Sequence, residues 1–189
     1  MTELVSDLKV RIEKLSILKG SLEAMRQVAM AYQREVVTTT LEALEDSINH
    51  FYSGILGHPF FVKLRLEPEE EWPFIYLIKG LSSDLAQSTY ISTRFSNTQM
   101  NIVALSIFLS NNTKMAGNFA LVVMDDPAQS MDEEHKNALV STMFELSAKK
   151  QIILATQDLE LKNAVEKVCI GFRKYEFDRW NPASVEVRS

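Results

Sequence analysis

Leu121-Val-Val-Met-Asp-Asp-Pro-Ala-Gln-Ser-Met-Asp132 is the stretch that decides the fold. Four apolar residues run straight into two adjacent carboxylates, then a proline, then a third carboxylate six residues after the second. Such an apolar run reads as a strand covered on both faces, as in the middle of a parallel sheet. Ligands of open α/β sheets bind beyond the carboxyl ends of these strands, which is where Asp125 and Asp126 stand. Neighbouring carboxylates repel, so the pair calls for a cation or a shared proton. The plainer use of the same residues is to cap the next helix, since Asp and Ser are good N-caps.

Two flanking segments carry the reading further. Phe95-Ser-Asn-Thr-Gln99 leads into Met100-Asn-Ile-Val-Ala-Leu-Ser-Ile-Phe-Leu109, a predicted helix with a broad apolar face. Ser96 falls at its N-terminus, where free N–H groups and the helix dipole favour an anion. An ordinary serine N-cap explains Ser96 equally well. Downstream, Gln151-Ile-Ile-Leu-Ala-Thr-Gln-Asp158 is a second apolar strand that ends in polar residues.

In that order the three segments resemble the signature motif, the Walker B and D-loop segment, and the H-loop of ATP-binding-cassette (ABC) ATPases. The family pattern is Leu-Ser-Gly-Gly-Gln, then four hydrophobics with Asp-Glu-Pro, three residues and Leu-Asp, then Thr-His-Asp. Asp125 falls on the magnesium-binding aspartate and Asp126 on the catalytic glutamate. Pro127 matches the proline, and Met131 and Asp132 match the D-loop pair. Ser96 and Gln99 match the signature serine and glutamine, while Asn97 and Thr98 replace its glycines and alter how closely a backbone can approach. Gln157 stands where the family has histidine; it can donate a hydrogen bond but carries no charge.

The resemblance implies ATP and Mg²⁺ as cofactors. Asp125 would hold the metal, and Asp126 would orient and deprotonate the attacking water. Ser96, Asn97, Thr98 and Gln99 would meet the γ-phosphate of ATP bound to an opposite subunit. Asp132 would couple the two sites, and Gln157 would sense the γ-phosphate. Aspartate is one methylene shorter than glutamate, so the Asp126 carboxylate sits on the order of 1.5 Å from the usual position, and misplacement of that size can cost about a hundredfold in rate. That leaves a second class of function open: a nucleotide-gated clamp with slow or no hydrolysis. A receiver domain, the reading from outside this chemistry, needs a second acidic pair and a lysine after the last strand, and the strand before Asp158 does not supply that lysine.

No Gly-x-x-x-x-Gly-Lys-Ser/Thr phosphate loop occurs in the sequence, and its 6 glycines form no cluster. Without that loop and its lysine this polypeptide cannot complete an ATP site. SMC and SbcC-type ATPases split the cassette in this way, with the phosphate loop in an N-terminal lobe and the other motifs in a C-terminal lobe beyond a long coiled coil. The chain resembles that C-terminal lobe, and its Asp-Asp-Pro-x-Gln-Ser-Met-Asp run is similar to bacterial SMC-like ATPases, including those of anti-phage defence systems of the Lamassu type. The expected fold class is α/β: a mainly parallel sheet flanked by helices, with a coiled-coil stump and a β-hairpin. The partners implied are an N-terminal Walker A lobe of the same or a companion chain, a second head in a homodimer, DNA through the full complex, and a nuclease or effector subunit.

The N-terminal residues fit the stump. Leu8, Leu15, Leu22, Ala29 and Val36 recur every seven residues, and Leu18, Met25 and Tyr32 fill the complementary position. This heptad pattern suits a coiled coil, and equally an amphipathic helix packed on its own domain. Residues 1–40 are therefore assigned to a helical coiled-coil stump and 41–189 to the C-terminal lobe. The β-branched run Val36-Val-Thr-Thr-Thr40 is expected to mark a bend before a helix over Leu41–Tyr52. Phe60–Leu66 and Trp72–Lys79 are expected to pair as a hairpin, with Lys63 and Arg65 on its wet face. The alternating segment Lys174–Trp180 is expected to form an edge hairpin or strand closing the sheet.

Composition bounds the rest. The chain has 189 residues, 46% of them hydrophobic, which suffices for one α/β lobe and a helical extension. Its net charge of −5 excludes a global basic footprint for nucleic acid, so DNA contact would fall to local patches or other subunits. The single cysteine, Cys169, excludes an intramolecular disulfide. No secretory signal or membrane-length apolar run is present, which places the chain in the cytoplasm and away from membranes. His50, His58 and His135 have no ligand-like spacing.

Overall fold

One helix opens the chain. α1 (Thr2–Ile55) runs for 54 residues, ~80 Å at the usual rise. Helix continues unbroken through Val36–Thr40 into the expected Leu41–Tyr52 segment, so the two are not separate helices. The hydroxyls of Thr39 and Thr40 donate to the carbonyls of Glu35 and Val36, four residues back, at 2.9 and 2.7 Å. Those bonds satisfy the hydroxyls within the helix, so the β-branched run does not open it. The heptad residues Leu8, Leu15, Leu18, Leu22, Met25 and Tyr32 are all exposed. The stripe is thus not packed on its own domain.

The computed structural model describes residues 2–69, 76–114, 120–181 and 184–188. They fall into two compact units. The first comprises Met1–His50 and His58–Arg94. It holds most of α1, an antiparallel sheet of β1 (Phe61–Pro68), β2 (Tyr76–Ser82) and β3 (Ser88–Tyr90), and the short α2 (Ile91–Arg94). Leu64 pairs with Gly80 and Arg65 with Lys79, which gives the expected hairpin, although Trp72–Ile75 lie outside the described residues. Lys63 and Arg65 face solvent while Leu64 is fully buried. Asn49 fastens α1 to β1 at two points, accepting from the Leu64 N–H at 2.6 Å and donating to the Leu64 carbonyl at 2.9 Å.

The second unit comprises Phe51–Gly57 and Phe95–Ser189. Its elements are the last turn of α1, α3 (Asn97–Lys114), β4 (Leu121–Asp125), α4 (Glu133–Ser147), β5 (Gln151–Ala155), α5 (Leu159–Val168), β6 (Glu176–Asn181) and β7 (Ser184–Arg188). β4 and β5 pair in parallel, Leu121 opposite Gln151 and Asp125 opposite Ala155. Val122 and Met124 enter a core with Phe51 and Ile55 of α1, Ile102 and Leu109 of α3, Leu139, Val140 and Met143 of α4, and Leu161 and Ala164 of α5. Strand side chains alternate between faces, and here only one face is covered. Val123 is 57% exposed and Ile153 48%, which corrects the expectation of a strand buried on both sides. β6 and β7 pair antiparallel as a separate two-stranded sheet, so the tail does not close the β4–β5 sheet as expected.

Candidate functional site

β4 delivers Asp125 and Asp126 to its carboxyl end. Asp125 is the last strand residue and is exposed. Asp126 leaves the ladder at φ 46°, a left-handed conformation that Asp and Asn tolerate better than most side chains. Its N–H still donates to the Ala155 carbonyl at 2.8 Å. The parallel register that sets Asp125 opposite Ala155 brings Asp126 beside Thr156, whose hydroxyl donates to Asp126 Oδ1 at 2.9 Å. The same hydroxyl accepts the Asp158 N–H at 3.0 Å. Sequence reasoning gave Thr156 no role, because the contact depends on the register between two strands.

The loop after β4 turns sharply between two left-handed residues, Asp126 and Ser130 at φ 64°. Ala128 and Met131 are buried in the core and anchor the loop from below. Asp132 then caps α4, accepting the His135 N–H at 2.9 Å, with His135 Nδ1 2.6 Å from the same oxygen. Those contacts, the backbone N–H first, hold the Asp132 carboxyl below the usual carboxylate range. The carboxylate remains mostly exposed.

Ser96 and Gln99 form a reciprocal cap at the start of α3. The Ser96 N–H donates to Gln99 Oε1 at 2.9 Å, and the Gln99 N–H donates to Ser96 Oγ at 3.3 Å. This is the capping-box arrangement, so the capping use of Ser96 is real. It does not exclude phosphate binding, because a hydroxyl that accepts one bond can still donate its own proton. Thr98 donates to the Ser130 carbonyl at 2.7 Å and ties this segment to the loop after β4. Asn97 is exposed. Just upstream, the Phe95 ring stacks on buried Tyr52, centroids 6.5 Å apart and planes within 15°. Burial pushes the Tyr52 hydroxyl pKa well up.

Gln157, exposed, sits between Thr156 and Asp158 in the turn that leads into α5. Asp158 caps that helix, its Oδ1 accepting the N–H groups of Glu160 and Leu161 at 2.8 and 3.1 Å. Its other oxygen lies 2.6 Å from the Nζ of Lys136, a lysine on α4 whose side chain is only 8% exposed. Lys136 holds the Asp158 carboxyl below its usual range, and Asp158 first, then Glu160, raise the lysine above its own. Lys136 had no sequence signal beyond its place on a helix.

The structure thus brings Asp125, Asp126 and Gln157 to the carboxyl ends of β4 and β5, and links Ser96–Gln99 to the Asp126–Asp132 loop through Thr98. Among the described residues no three His, Cys, Asp or Glu side chains cluster as a metal cage. A Mg²⁺ ion suits such a site, since it takes one or two carboxylates and fills its remaining positions with phosphates and water. No described helix is long and apolar enough to cross a membrane.

The sequence matches no family model. It is similar to the DNA double-strand break repair Rad50 ATPase of Aeropyrum pernix, 22% identical over 163 residues, covering 85% of this chain and 17% of that protein. The structure resembles one from work on ATP-driven dimerization and DNA-stimulated activation of SMC ATPases, with a TM-score of 0.62, 13% identity, and coverage of 82% of this chain and 88% of that one. It also resembles the Smc head domain with a coiled coil and joint from Pyrococcus yayanosii, with a TM-score of 0.53, 21% identity, and coverage of 84% of this chain and 30% of that one. The Smc head of Pyrococcus furiosus bound to the C-terminal domain of ScpA gives a TM-score of 0.54 at 18% identity, covering 84% of this chain and 39% of that one. With its long N-terminal helix and its parallel strand pair, the chain has the fold of an SMC/SbcC-like ATPase head, in the C-terminal lobe.

Proposed function

We propose that this chain is the C-terminal half of an ABC-type ATPase that dimerises around ATP and hydrolyses it to drive a conformational change on DNA, in repair, sensing or phage defence. The observation that carries the reading is the joining of Asp125 and Asp126, at the end of β4, to the Ser96–Gln99 helix start through the Thr98–Ser130 bond. Exposed Asp125 would hold Mg²⁺, which when bound would neutralise the charge that develops on the phosphates. Asp126 would orient and deprotonate the attacking water. Ser96 and the N–H groups beside it would hold the γ-phosphate of the opposite head's ATP, and Asn97 and Gln99 would line that contact. Gln157 would donate to the γ-phosphate as a neutral sensor. Asp132 would meet the opposite head from its cap on α4.

The phosphate loop must come from a second lobe, and the open apolar face around Val123 and Ile153 is the surface that supports such a partner. The exposed heptad stripe of α1 supports a coiled-coil partner helix. DNA contact and any nuclease or effector subunit belong to the assembled complex. The second reading, a clamp without useful turnover, is favoured by the short Asp126 side chain.

ATP turnover by this chain alone, with a separately produced phosphate-loop lobe, and with that lobe plus Asp126→Asn, tests the proposal. Turnover that needs both lobes and is lost in Asp126→Asn is expected. Turnover by this chain alone would overturn the split site. ATP-dependent association without turnover would establish the clamp.

A further inference from the structure

We propose that Thr156 is a positioning residue for the Asp126 carboxylate, an inference that rests on the catalytic reading of Asp126. Thr156 has one hydroxyl proton and gives it to Asp126 Oδ1 at 2.9 Å. Its direction is fixed from behind, because the same oxygen accepts the Asp158 N–H at 3.0 Å. Asp158 is itself immobilised: Oδ1 caps α5, and Oδ2 meets the buried Lys136 ammonium at 2.6 Å. The Asp126 backbone is held independently by its N–H bond to the Ala155 carbonyl. The side chain is therefore held at both ends.

An aspartate has only two side-chain torsions, and a bond to one carboxylate oxygen orients the other. Oδ2 becomes the oxygen that can take a proton from water. Catalytic positioning tolerates little slack, since displacement on the order of 1 Å costs a large factor in rate. Thr156 supplies, from just beyond the end of β5, the orientation that a longer carboxylate would otherwise gain from its own reach. The turn that carries Gln157 also carries this hydroxyl, so the sensor and the base are set by one short segment.

The test is steady-state ATP hydrolysis by the chain assembled with its phosphate-loop lobe, comparing wild type, Thr156→Val, Thr156→Ser and Asp126→Asn. Valine keeps the shape and removes the hydroxyl; serine keeps the hydroxyl. The expected result is a fall in kcat of about tenfold in Thr156→Val, the worth of one hydrogen bond to a charged group. KM for ATP and ATP-dependent association should stay within about twofold, and Thr156→Ser should recover most of the loss. Thermal melting checks folding, and Thr156→Ala replaces the valine variant if that one does not fold. Wild-type kcat in Thr156→Val, parallel changes in kcat and KM, or no rescue by serine would each overturn the proposal. When Asp126→Asn abolishes turnover in the same series, such a failure belongs to Thr156 alone. Full turnover in Asp126→Asn removes the catalytic reading itself, and this proposal with it.

Discussion

Lys136 Nζ lies 2.6 Å from Asp158 Oδ2 and 2.7 Å from Glu160 Oε2, so one ammonium on α4 bridges two carboxylates at the start of α5. The lysine side chain is buried, whereas Asp158 is 25% and Glu160 62% exposed. Removing the buried partner strands the carboxylates that water reaches least. Lys136→Met should therefore cost about 1–2 kcal/mol, scaled down from a fully buried pair for the exposure of its partners. The melting temperature should fall by roughly 3–6 °C. Glu160→Gln should cost under about 0.5 kcal/mol. Equal losses in the two variants would contradict Asp158 as the main partner.

The same pair predicts an acid limb. The Asp158 carboxyl is held low, chiefly by Lys136, so the folded chain binds fewer protons there than the unfolded chain. That contribution is complete above about pH 4, the unfolded value, and is lost as pH falls through the lowered folded value. Lys136→Met should flatten the stability profile in that window and leave it unchanged in shape near neutrality. Urea midpoints measured from pH 2 to 7 decide the matter.

His58 predicts a second pH step. Its Nδ1 accepts the N–H groups of Phe60 and Phe61 at 3.0 and 2.9 Å, an arrangement only an unprotonated nitrogen can make. Burial lowers its pKa, so the neutral form is favoured on folding. Stability from this turn is present above about pH 6.5 and declines below it, towards the folded value. His58→Asn, which keeps an acceptor without the titration, should remove the step from melting curves taken between pH 5 and 8.

Ser96 is open to a separation of roles. Ser96→Asp keeps a side-chain acceptor for the Gln99 N–H and an acidic group at a helix N-terminus, so the melting temperature should stay within about 2 °C. The added negative charge faces the site proposed for a phosphate. ATP-dependent association of the assembled heads should fall at least about tenfold. Association that survives the substitution would leave Ser96 as a cap only.

Ser110 offers a gain. Its Oγ is buried without a hydrogen-bond partner among the described residues, while Ser106, one turn earlier, donates to the Ile102 carbonyl at 2.7 Å. Ser110→Ala should raise stability by about 1 kcal/mol, visible as a higher denaturant midpoint with an unchanged slope. Ser106→Ala should give no such gain.

Much of the site was legible because its residues are punctuation. Asp125–Pro127 and Thr156–Asp158 interrupt apolar runs, and such interruptions mark strand ends in any α/β chain. Ser96 and Gln99 were legible as a helix start for the same reason. The Thr156–Asp126 bond was not, because it depends on a parallel register between strands about thirty residues apart, which no local pattern encodes. Lys136 was hidden differently: a lysine on a helix reads as solvated, and only the approach of α4 to the start of α5 buries it. The break read at Val36–Thr40 does not occur because propensity is a weak prior, and the i−4 carbonyls take up the threonine hydroxyls instead. The open face of β4 escaped because a run of four apolar residues does not say what covers each side.

That open face bears on how the protein is made. Val123 and Ile153 present adjacent aliphatic side chains on a strand pair, a sticky surface of the kind chaperones and degradation machinery bind. A lobe whose open face stays uncovered would be removed or would clump, so the covering of Val123 and Ile153 decides which copies persist.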